Sequence, residues 1–369
     1  MGDAPVAVVA DQLRQRPMSG IATYTRGLLR GLRQLGDDAP PVVLVASRGA
    51  SPDPLVEWGW PVRSSRLPGP LLTRWWDRGG GGRLLAAAGV VHATSLAAPL
   101  GGPAPVAVMV HDLAWREFPE AYPARGRRWH EAALTRAIRR ARALVTPAER
   151  TAGLLREAGA APDQVVAIGH GADHLPVADV EGAAATLGAI GVSGPYLLSV
   201  STLEPRKNLA RLVAAYTRAR DRLPEPWPLV LVGPRGWGPH LVPAPGVKLA
   251  GVVSDPVLAG LYAGARCLAY VPLVEGWGLP PVEAMGACTP VVASPMPSTG
   301  GAALEVDPTD VDEIAGALVI AAGDERRRSE LVTAGLLRAG ELTWASTAAA
   351  HARVWRSLGA AAQRPSGYR

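Results

Sequence analysis

The sequence from residue 266 to residue 285 reads RCLAYVPLVEGWGLPPVEAM. Its first six residues form a short apolar run that predicts a buried strand, and Gly276 and Gly278 then interrupt the regular pattern. Pro280 and Pro281 suit the first turn of a helix, where a missing N–H costs nothing. Because PVVAS follows from residue 290 to residue 294, we predict a strand, a glycine loop, a helix and a second strand.

The glycine loop of this stretch has the features of an anion site. Its backbone N–H groups, with a helix N-terminus behind them, attract a group such as a phosphate. Glu275 lies on the loop and Glu283 lies near the start of the helix, so both carboxylates can face one ligand. Carboxylates beside a phosphate suit the hydroxyl groups of a sugar. The alternative is an ordinary strand-to-helix turn with two solvated glutamates, because glycine turns are common at the carboxyl ends of α/β strands.

The composition is that of a globular protein. The chain has 369 residues, of which 48% are hydrophobic, and this length is sufficient for two domains that each bury a core. Residues 1–175 contain 21 arginines against 15 acidic residues, whereas residues 176–369 contain 17 basic and 17 acidic residues. The basic first half predicts an anionic partner, such as a phosphate-bearing acceptor or a membrane surface that it contacts peripherally. No long block of like charges indicates nucleic acid.

Cysteine spacing and hydropathy exclude several classes of protein. Cys267 and Cys288 are far apart in apolar contexts, which excludes a disulfide framework and a CxxC metal site. The first ten residues lack the basic start and long apolar core of a signal peptide. No apolar run reaches the length of about 18 residues that spans a bilayer. We therefore expect a cytoplasmic protein.

Strand-like and helix-like patterns alternate along both halves of the chain, without hairpin signals. Residues 174–194 interrupt this alternation with proline, glycine and small residues. The pattern predicts an α/β fold with two Rossmann-like, doubly wound parallel-sheet domains that face a central cleft. We assign residues 1–175 to the N-terminal domain, 176–194 to a linker and 195–344 to the C-terminal domain.

Two further features of the first half allow more than one interpretation. Residues 48–83 are irregular, and Trp75 and Trp76 lie there beside arginines. These rings either contact a membrane or an acceptor, or cover the first domain as loop aromatics. His111 directly follows a buried strand, at the end where parallel sheets bind ligands, but a lone histidine can equally be structural.

A set of motifs runs through nearly the whole chain in a fixed order. They are the Gly20 loop, VHDL at 110–113, EFPE at 117–120, EPRKN at 204–208, GPRGWG at 233–238, EGWGLPPVE at 275–283 and DP at 307–308. In these motifs the sequence resembles the retaining glycosyltransferases of family 4, which have the GT-B fold. The resemblance implies a nucleotide-sugar in the C-terminal domain and an acceptor in the N-terminal domain. It also implies that a last helix, within residues 345–369, crosses back onto the first domain.

The resemblance implies a role for each matching residue. Arg206 and Lys207 would bind the diphosphate, and their chemistry supports this, because a guanidinium fork and an ammonium group lie together at a strand-to-helix turn. Glu275 would hold hydroxyls of the donor sugar, Glu283 would hold the ribose, and His111 would face the sugar near its anomeric carbon. The predicted catalytic residues are therefore His111, Arg206, Lys207 and Glu275, and the predicted donor-binding residues are Gly20, Val253, Gly276, Trp277, Gly278, Leu279 and Glu283.

The family's reaction moves a hexosyl group from a nucleotide-sugar to a hydroxyl of a glycan, a lipid-linked acceptor or a small molecule, with retention. The resemblance favours GDP-mannose as the donor, with UDP- and dTDP-sugars as alternatives. It implies no metal and no other cofactor, because Arg206, Lys207 and helix dipoles would stabilise the leaving diphosphate.

The sequence departs from the family's pattern in two places. Ser201 stands where a glycine is usual, and PSTGG occupies residues 297–301. These departures leave open a non-catalytic protein that binds sugar nucleotides. A sugar-nucleotide epimerase or a phosphorylase of the same architecture is a further alternative.

Overall fold

The computed structural model describes residues 4–15, 19–49, 51–82, 84–237 and 244–363. The chain divides into two compact units. The first unit comprises Met1–Arg116, Tyr122–Gly171 and Trp344–Arg369, and the second comprises Glu117–Ala121 and Ala172–Thr343. The first unit is therefore built from segments that come before and after the main segment of the second unit in the sequence.

The first unit contains a seven-stranded parallel sheet. Its strands are β1 (Val6–Val9), β2 (Val42–Ala46), β3 (Val62–Ser64), β4 (Val90–Ala93), β5 (Val106–Met109), β6 (Ala143–Thr146) and β7 (Val165–Ala167). The strand order is β3-β2-β1-β4-β5-β6-β7. The central strands are buried on both faces, which explains why they consist mainly of valine, leucine and alanine. The helices of this half of the chain are α1 (Gly20–Gln34), α2 (Gly69–Asp77), α3 (Ala114–Glu117), α4 (Ala124–Arg140) and α5 (Glu149–Glu157).

The second unit contains a six-stranded parallel sheet. Its strands are β8 (Leu197–Val200), β9 (Leu229–Val232), β10 (Val247–Gly251), β11 (Cys267–Tyr270), β12 (Val291–Ala293) and β13 (Leu304–Glu305), in the order β10-β9-β8-β11-β12-β13. Its helices are α6 (Val180–Ala189), α7 (Leu209–Ala219), α8 (Asp255–Gly264), α9 (Leu279–Gly286), α10 (Val311–Gly323) and α11 (Glu325–Glu341). Alternate strand residues face opposite sides, so α7 and α10 pack on one face and α8 and α9 on the other.

A last helix, α12 (Trp344–Gln363), belongs to the first unit and packs against α1. Gly27 and Gly31 of α1 line the contact, because a Cβ at either position would overlap Trp344. The Trp344 side chain is fully buried there. The two glycines, four residues apart on one helix face, thus form a groove for Trp344, in which Gly27 faces the ring and Gly31 faces the backbone carbonyl.

Several sequence expectations about local structure are wrong. Residues 48–83 include the edge strand β3 and the helix α2, in which Trp76 is buried and Trp75 is 38% exposed. Within residues 176–194, Val180–Ala189 forms α6 and packs against α8. Gly238 of the GPRGWG motif and residues 364–369 lie outside the described residues.

Among the described residues, no helix combines the length and the hydropathy that crossing a membrane requires.

Candidate functional site

The motif at residues 275–283 forms the loop and helix that its sequence predicts. The preceding strand β11 ends at Tyr270, and α9 begins at Leu279. Gly278 adopts a left-handed conformation with φ of 95°, and a Cβ there would overlap Met296 and crowd Ser298. Glycine is therefore required at this position for both its backbone freedom and its small size.

The EPRKN segment forms a 3-10 turn, Pro205–Lys207, directly before α7. Asn208 follows in a left-handed conformation with φ of 59°, which asparagine tolerates better than most residues. Its side-chain amide donates to the carbonyl oxygen of Val271 at 3.0 Å and to that of Pro308 at 2.7 Å. Asn208 therefore ties the turn to the end of β11 and holds two neighbouring cations against the loop of the glutamate motif.

Arg206 and Lys207 both contact Glu275. The Arg206 guanidinium donates to Glu275 Oε2 at 3.2 Å and to the Glu204 carboxylate at 3.0 Å. Lys207 Nζ donates to the same Oε2, and the Tyr270 phenol donates to it at 2.8 Å. Three donors thus share Oε2, whereas Oε1 of Glu275 accepts no hydrogen bond from the described part of the chain.

Glu204, Arg206, Lys207 and Glu275 form what we call the Glu275 cluster. Their side chains are between 4% and 15% exposed, and two negative charges balance two positive charges. Burial tends to raise the pKa of Glu275, but the charges of Lys207 and Arg206 outweigh burial and lower that pKa to about 2. Burial lowers the pKa of Lys207, and the Glu275 carboxylate partly offsets this shift. The formal charges of the cluster therefore sum to zero, and its side chains are largely shielded from water.

Glu283 lies on α9 and is 7% exposed. The Tyr262 phenol of α8 donates to Glu283 Oε2 at 2.8 Å, and His174 Nε2 lies 2.9 Å from Oε1. Because an ionised carboxylate only accepts hydrogen bonds, His174 Nε2 carries a hydrogen. Each Glu283 carboxylate oxygen keeps a further lone pair that could accept a hydrogen bond from a ribose hydroxyl. The predicted contact between Glu283 and the ribose stays a prediction.

The other predicted donor-binding residues lie in two different units. Gly276 and Trp277 are buried in the loop before α9, and Leu279 is half-buried in its first turn. Val253 is half-buried shortly before α8. Gly20 instead opens α1 in the first unit and is exposed, with no described atom within 4 Å of the place that a Cβ would take.

His111 also belongs to the first unit, two residues after β5. Its Nε2 lies 2.9 Å from the carbonyl oxygen of Thr94, so Nε2 carries a hydrogen. The ring packs edge-on against Tyr24, with the ring centroids 5.0 Å apart. Of the four predicted catalytic residues, Arg206, Lys207 and Glu275 thus meet in the second unit, and His111 belongs to the first.

The two departures from the family's pattern form ordered structure. The Ser201 N–H donates to the carbonyl oxygen of Val232 at 2.9 Å, and its own carbonyl packs against Gly233, where a Cβ would overlap it. In the PSTGG segment, Arg338 of α11 donates to the carbonyl oxygens of Ser298 and Pro297 at 2.9 Å and 3.2 Å. A backbone hydrogen bond therefore fixes Ser201, and hydrogen bonds from the Arg338 side chain fix the PSTGG segment, all within the second unit.

Sequence reasoning missed the side chains that hold the motif residues. A buried tyrosine needs a partner for its hydroxyl, so Tyr270 at the end of an apolar strand was a detectable signal. Asn208 also carried a signal, because asparagine adopts a left-handed conformation more readily than most residues do and this one lies between two predicted elements. No pattern in the sequence links Tyr262 or His174 to Glu283.

Two protein-family models match separate parts of the chain. The model described as "Glycosyltransferase Family 4" matches residues 18–174, and the one described as "Glycosyl transferases group 1" matches residues 194–324. The chain belongs to glycosyltransferase family 4. The family predicted from its motifs is therefore confirmed.

Curated relatives of this family 4 protein include two mannosyltransferases. "O-antigen chain mannosyltransferase B" of Escherichia coli is 35% identical over 161 residues, which are 40% of this chain and 42% of the relative. "MMP alpha-(1->4)-mannosyltransferase" of Mycolicibacterium hassiacum is 33% identical over 164 residues, which are 41% of this chain and 40% of the relative. The matches thus span less than half of these relatives.

Solved structures resemble the family 4 protein over almost its whole length. Alr3699/HepE of Anabaena, in complex with UDP and glucose, has a TM-score of 0.72 at 18% identity and covers 96% of this chain and 100% of its own. Sucrose-phosphate synthase of Thermosynechococcus elongatus has a TM-score of 0.71 at 18% identity, covering 97% of this chain and 100% of its own. At this identity the likeness shows the fold, and it confirms the predicted GT-B class with two parallel-sheet units.

Proposed function

We propose that this protein is a retaining glycosyltransferase that moves a hexosyl group from a nucleotide-sugar to an acceptor hydroxyl. The observation that carries the proposal is the Glu275 carboxylate. Its Oε2 accepts hydrogen bonds from Arg206, Lys207 and Tyr270, while Oε1 accepts none from the described residues. One oxygen is thus fixed by the cations suited to a diphosphate, and the other is available to a sugar hydroxyl.

Binding of the donor would change the charge balance of the Glu275 cluster. The cluster is neutral in the protein alone, so an arriving diphosphate competes with Glu204 and Glu275 for Arg206 and Lys207. The dipole of α9 adds positive potential at the same loop, and within the first three residues of the helix only Leu279 supplies an N–H, because Pro280 and Pro281 have none. On donor binding, Arg206 and Lys207 would therefore exchange carboxylate oxygens for phosphate oxygens. Before binding, the two buried cations are paired with carboxylates.

The proposed reaction breaks the bond between the anomeric carbon and the diphosphate oxygen. The acceptor oxygen bonds to the same face of the anomeric carbon, and its proton passes to the departing phosphate oxygen. Arg206 and Lys207 stabilise the negative charge that develops on the diphosphate, so we propose that transfer needs no metal ion. Undiminished transfer in a chelating agent is the expected result.

The donor that we favour is GDP-mannose, because both curated relatives named above are mannosyltransferases. A UDP-sugar is the next candidate, because the Alr3699/HepE structure holds UDP. A glycan, a lipid-linked sugar or a small molecule with a free hydroxyl is the proposed acceptor.

Thermal shift against GDP, UDP, dTDP and ADP, each with and without its common sugars, tests the donor. A ligand at 100 times its Kd stabilises a protein by about 2.7 kcal/mol. We expect one nucleotide to stabilise the protein and to lose this effect in Lys207→Ala. Transfer of labelled sugar from that donor to an acceptor panel then tests catalysis. Tight binding without transfer would instead favour a non-catalytic sugar-nucleotide-binding protein.

We also propose that the first unit contacts an anionic membrane surface. Leu71, Arg74, Trp75 and Arg78 lie at helical spacings of three, four and seven residues, and all four are exposed. They form one outward stripe along α2 and its C-cap, with apolar and cationic side chains side by side. This pairing of an aromatic ring with arginines suits a membrane interface.

The neighbouring helix α4 extends the positive surface. Asp77 is the acidic residue of α2, and it is already bonded to Arg136 and, at 3.1 Å, to Trp129 Nε1 of α4. The charge of Asp77 is thus offset within the protein. The exposed arginines of α4 are Arg125, Arg128, Arg139 and Arg140.

Sedimentation with lipid vesicles tests this surface independently of transfer activity. We expect the protein to bind vesicles that contain phosphatidylglycerol more strongly than pure phosphatidylcholine vesicles, and to be released by salt. Arg74→Glu and Trp75→Ala should weaken binding, whereas Leu337→Ala, at an exposed leucine of α11, should not. Equal binding to both vesicle types would contradict the proposal.

A further inference from the structure

The second unit contains four tyrosines, and all four are buried. Two of them donate to backbone carbonyl oxygens: Tyr196 to Leu261 at 2.6 Å and Tyr216 to Trp227 at 2.9 Å. The other two donate to the two glutamates of the 275–283 motif. Tyr270 donates to Glu275 and Tyr262 to Glu283, both at 2.8 Å. Each motif carboxylate therefore has a buried phenol of its own.

We propose that Tyr270 and Tyr262 are positioning residues that orient the two motif carboxylates for separate tasks. Tyr270 would hold Glu275 in the orientation that transfer requires, and Tyr262 would hold Glu283 in the orientation that nucleotide binding requires. This inference rests on the proposed function, because the two tasks are those of a sugar-nucleotide transferase.

The contacts of Tyr270 fix the direction of its hydrogen bond. Lys207 Nζ donates to the Tyr270 oxygen at 2.8 Å. An ammonium group cannot accept, so the single phenol hydrogen goes to Glu275 Oε2. The Tyr270 oxygen thus links the cation and the carboxylate of the Glu275 cluster. When a phosphate draws Lys207 away, the phenol still holds Oε2, and Oε1 keeps its orientation toward the sugar.

Tyr262 acts from a different element. It lies on α8, while Glu283 lies on α9, so its phenol fixes the carboxylate from the neighbouring helix. His174 holds the other oxygen at 2.9 Å. With both oxygens held, the Glu283 side chain cannot rotate without breaking two hydrogen bonds in a site that is 7% exposed. A fixed carboxylate presents its remaining lone pairs in one direction, as recognition of a ribose diol requires.

Replacement of tyrosine by phenylalanine tests both residues with minimal change in shape. Tyr270→Phe removes one oxygen but keeps the ring beneath Lys207, whose Nζ lies 5.2 Å from the ring centroid. Tyr262→Phe removes only the phenol oxygen on Glu283. Tyr196→Phe and Tyr216→Phe are matched controls, because each removes a buried hydrogen bond of the same unit without touching a motif residue.

The measurements are kcat and KM for the donor, and the Kd for the nucleoside diphosphate by calorimetry, on the full chain. A hydrogen bond to a charged group contributes enough for an effect of roughly tenfold or more. We expect Tyr270→Phe to lower kcat by roughly tenfold or more with little change in Kd. We expect Tyr262→Phe to raise Kd and KM by roughly tenfold with little change in kcat. Both controls should change thermal stability without changing kcat, KM or Kd.

A double-mutant cycle separates positioning from general loss of stability. If Tyr270 acts through Glu275, Tyr270→Phe should lower kcat much less in a Glu275→Gln background than in the wild type. Should Tyr270→Phe not fold, 3-fluorotyrosine at position 270 keeps the hydroxyl but changes its acidity. That replacement should shift the pH profile of kcat, and the same replacement at position 196 should not.

The outcomes distinguish this inference from the proposed function. An active wild type, with Tyr270→Phe and Tyr262→Phe indistinguishable from the two controls, would overturn the inference alone. A folded wild type that neither binds a nucleotide nor transfers a sugar would overturn the proposed function and this inference with it.

Discussion

Each unit buries a cluster of polar side chains, but only one of these clusters is charged. The Glu275 cluster of the second unit consists of two carboxylates, a guanidinium and an ammonium group in contact. In the first unit, the Tyr24 hydroxyl lies 2.9 Å from His92 Nε2 and 3.2 Å from His351 Nε2, and all three side chains are fully buried. Burial lowers the pKa of both histidines, so this second group, the Tyr24 cluster, is neutral.

The difference shows what each cluster is suited to do. The Tyr24 hydroxyl donates to one histidine and accepts from the other, which links α1, β4 and α12. The side chains of the Tyr24 cluster are neutral and already hydrogen-bond each other, so they offer no positive charge to an anionic ligand. Ion pairs, in contrast, can exchange a carboxylate for a phosphate. We therefore infer that the Tyr24 cluster fixes a helix, whereas the Glu275 cluster binds a ligand.

The largest expected effect is on turnover, in Lys207→Ala. Removing one preorganised cation from the leaving group typically costs roughly 10²-fold in kcat or more. We expect a loss of that size, measured as transfer of labelled sugar. Lys248→Ala is the matched control, because Lys248 is the other lysine of the chain and lies on the edge strand β10. Unchanged turnover in folded Lys207→Ala would contradict the role that we give to the Glu275 cluster.

The next effect is on stability, in Tyr24→Phe. Loss of the hydroxyl leaves two buried histidine nitrogens without their partner, which should lower the free energy of unfolding by about 1–3 kcal/mol. Urea denaturation measures this change. The Kd for the nucleotide should stay the same, because the variant leaves the Glu275 cluster intact. If Tyr24→Phe kept normal stability but bound the nucleotide more weakly, the Tyr24 cluster would contribute to ligand binding and not to fixing a helix, contrary to our inference.

A third expected effect is on the pH dependence of stability. The pKa of His351 is lowered from 6.5 to about 3, so between these values the unfolded chain binds a proton that the folded chain does not. Stability therefore falls as the pH decreases through this window, by at most about 1.4 kcal/mol per pH unit for one group. The pKa of Glu275 is lowered from 4.5 to about 2, so its contribution is present above pH 4.5 and is lost as the pH falls toward 2.

Two variants separate these windows. Glu275→Gln should reduce the dependence of stability on pH only below about pH 4.5, whereas His351→Gln should reduce it from about pH 6.5 downward. Urea denaturation between pH 7.5 and pH 3 measures both slopes. The same slope as the wild type in both variants would show that neither cluster controls the acid response.

The parallel strands were predictable, and some helices were not. Buried parallel strands form apolar runs, so the strands predicted within residues 266–271 and 290–294 are present as β11 and β12 with bounds that differ by one residue or two. The edge strand β3 is only three residues long and half-exposed, which leaves no such run. The helix α6 consists mainly of alanine, glycine and threonine with a weak apolar period, so its sequence resembled a linker.

The site was predictable at the level of motifs but not of contacts. Adjacent cations after β8 and a glutamate loop after the neighbouring strand β11 must lie at the same sheet edge, and the structure brings Arg206, Lys207 and Glu275 together. Their partners were not predictable in the same way. Tyr262 meets Glu283 across 21 residues, and Asn208 meets Val271 across 63 residues. Such contacts depend on how helices and strands pack, which no local pattern encodes.

The groove that Gly27 and Gly31 offer to Trp344 bears on the order of events at the ribosome. The groove emerges early in synthesis, but the ring that fills it emerges more than 300 residues later. The second unit, in contrast, lies almost entirely in one continuous segment, Ala172–Thr343. Because domains generally fold as units during synthesis, the nascent chain would complete the second unit before α12 can seal the first. Until then, the face of α1 that contacts α12 in the folded protein lacks this partner helix.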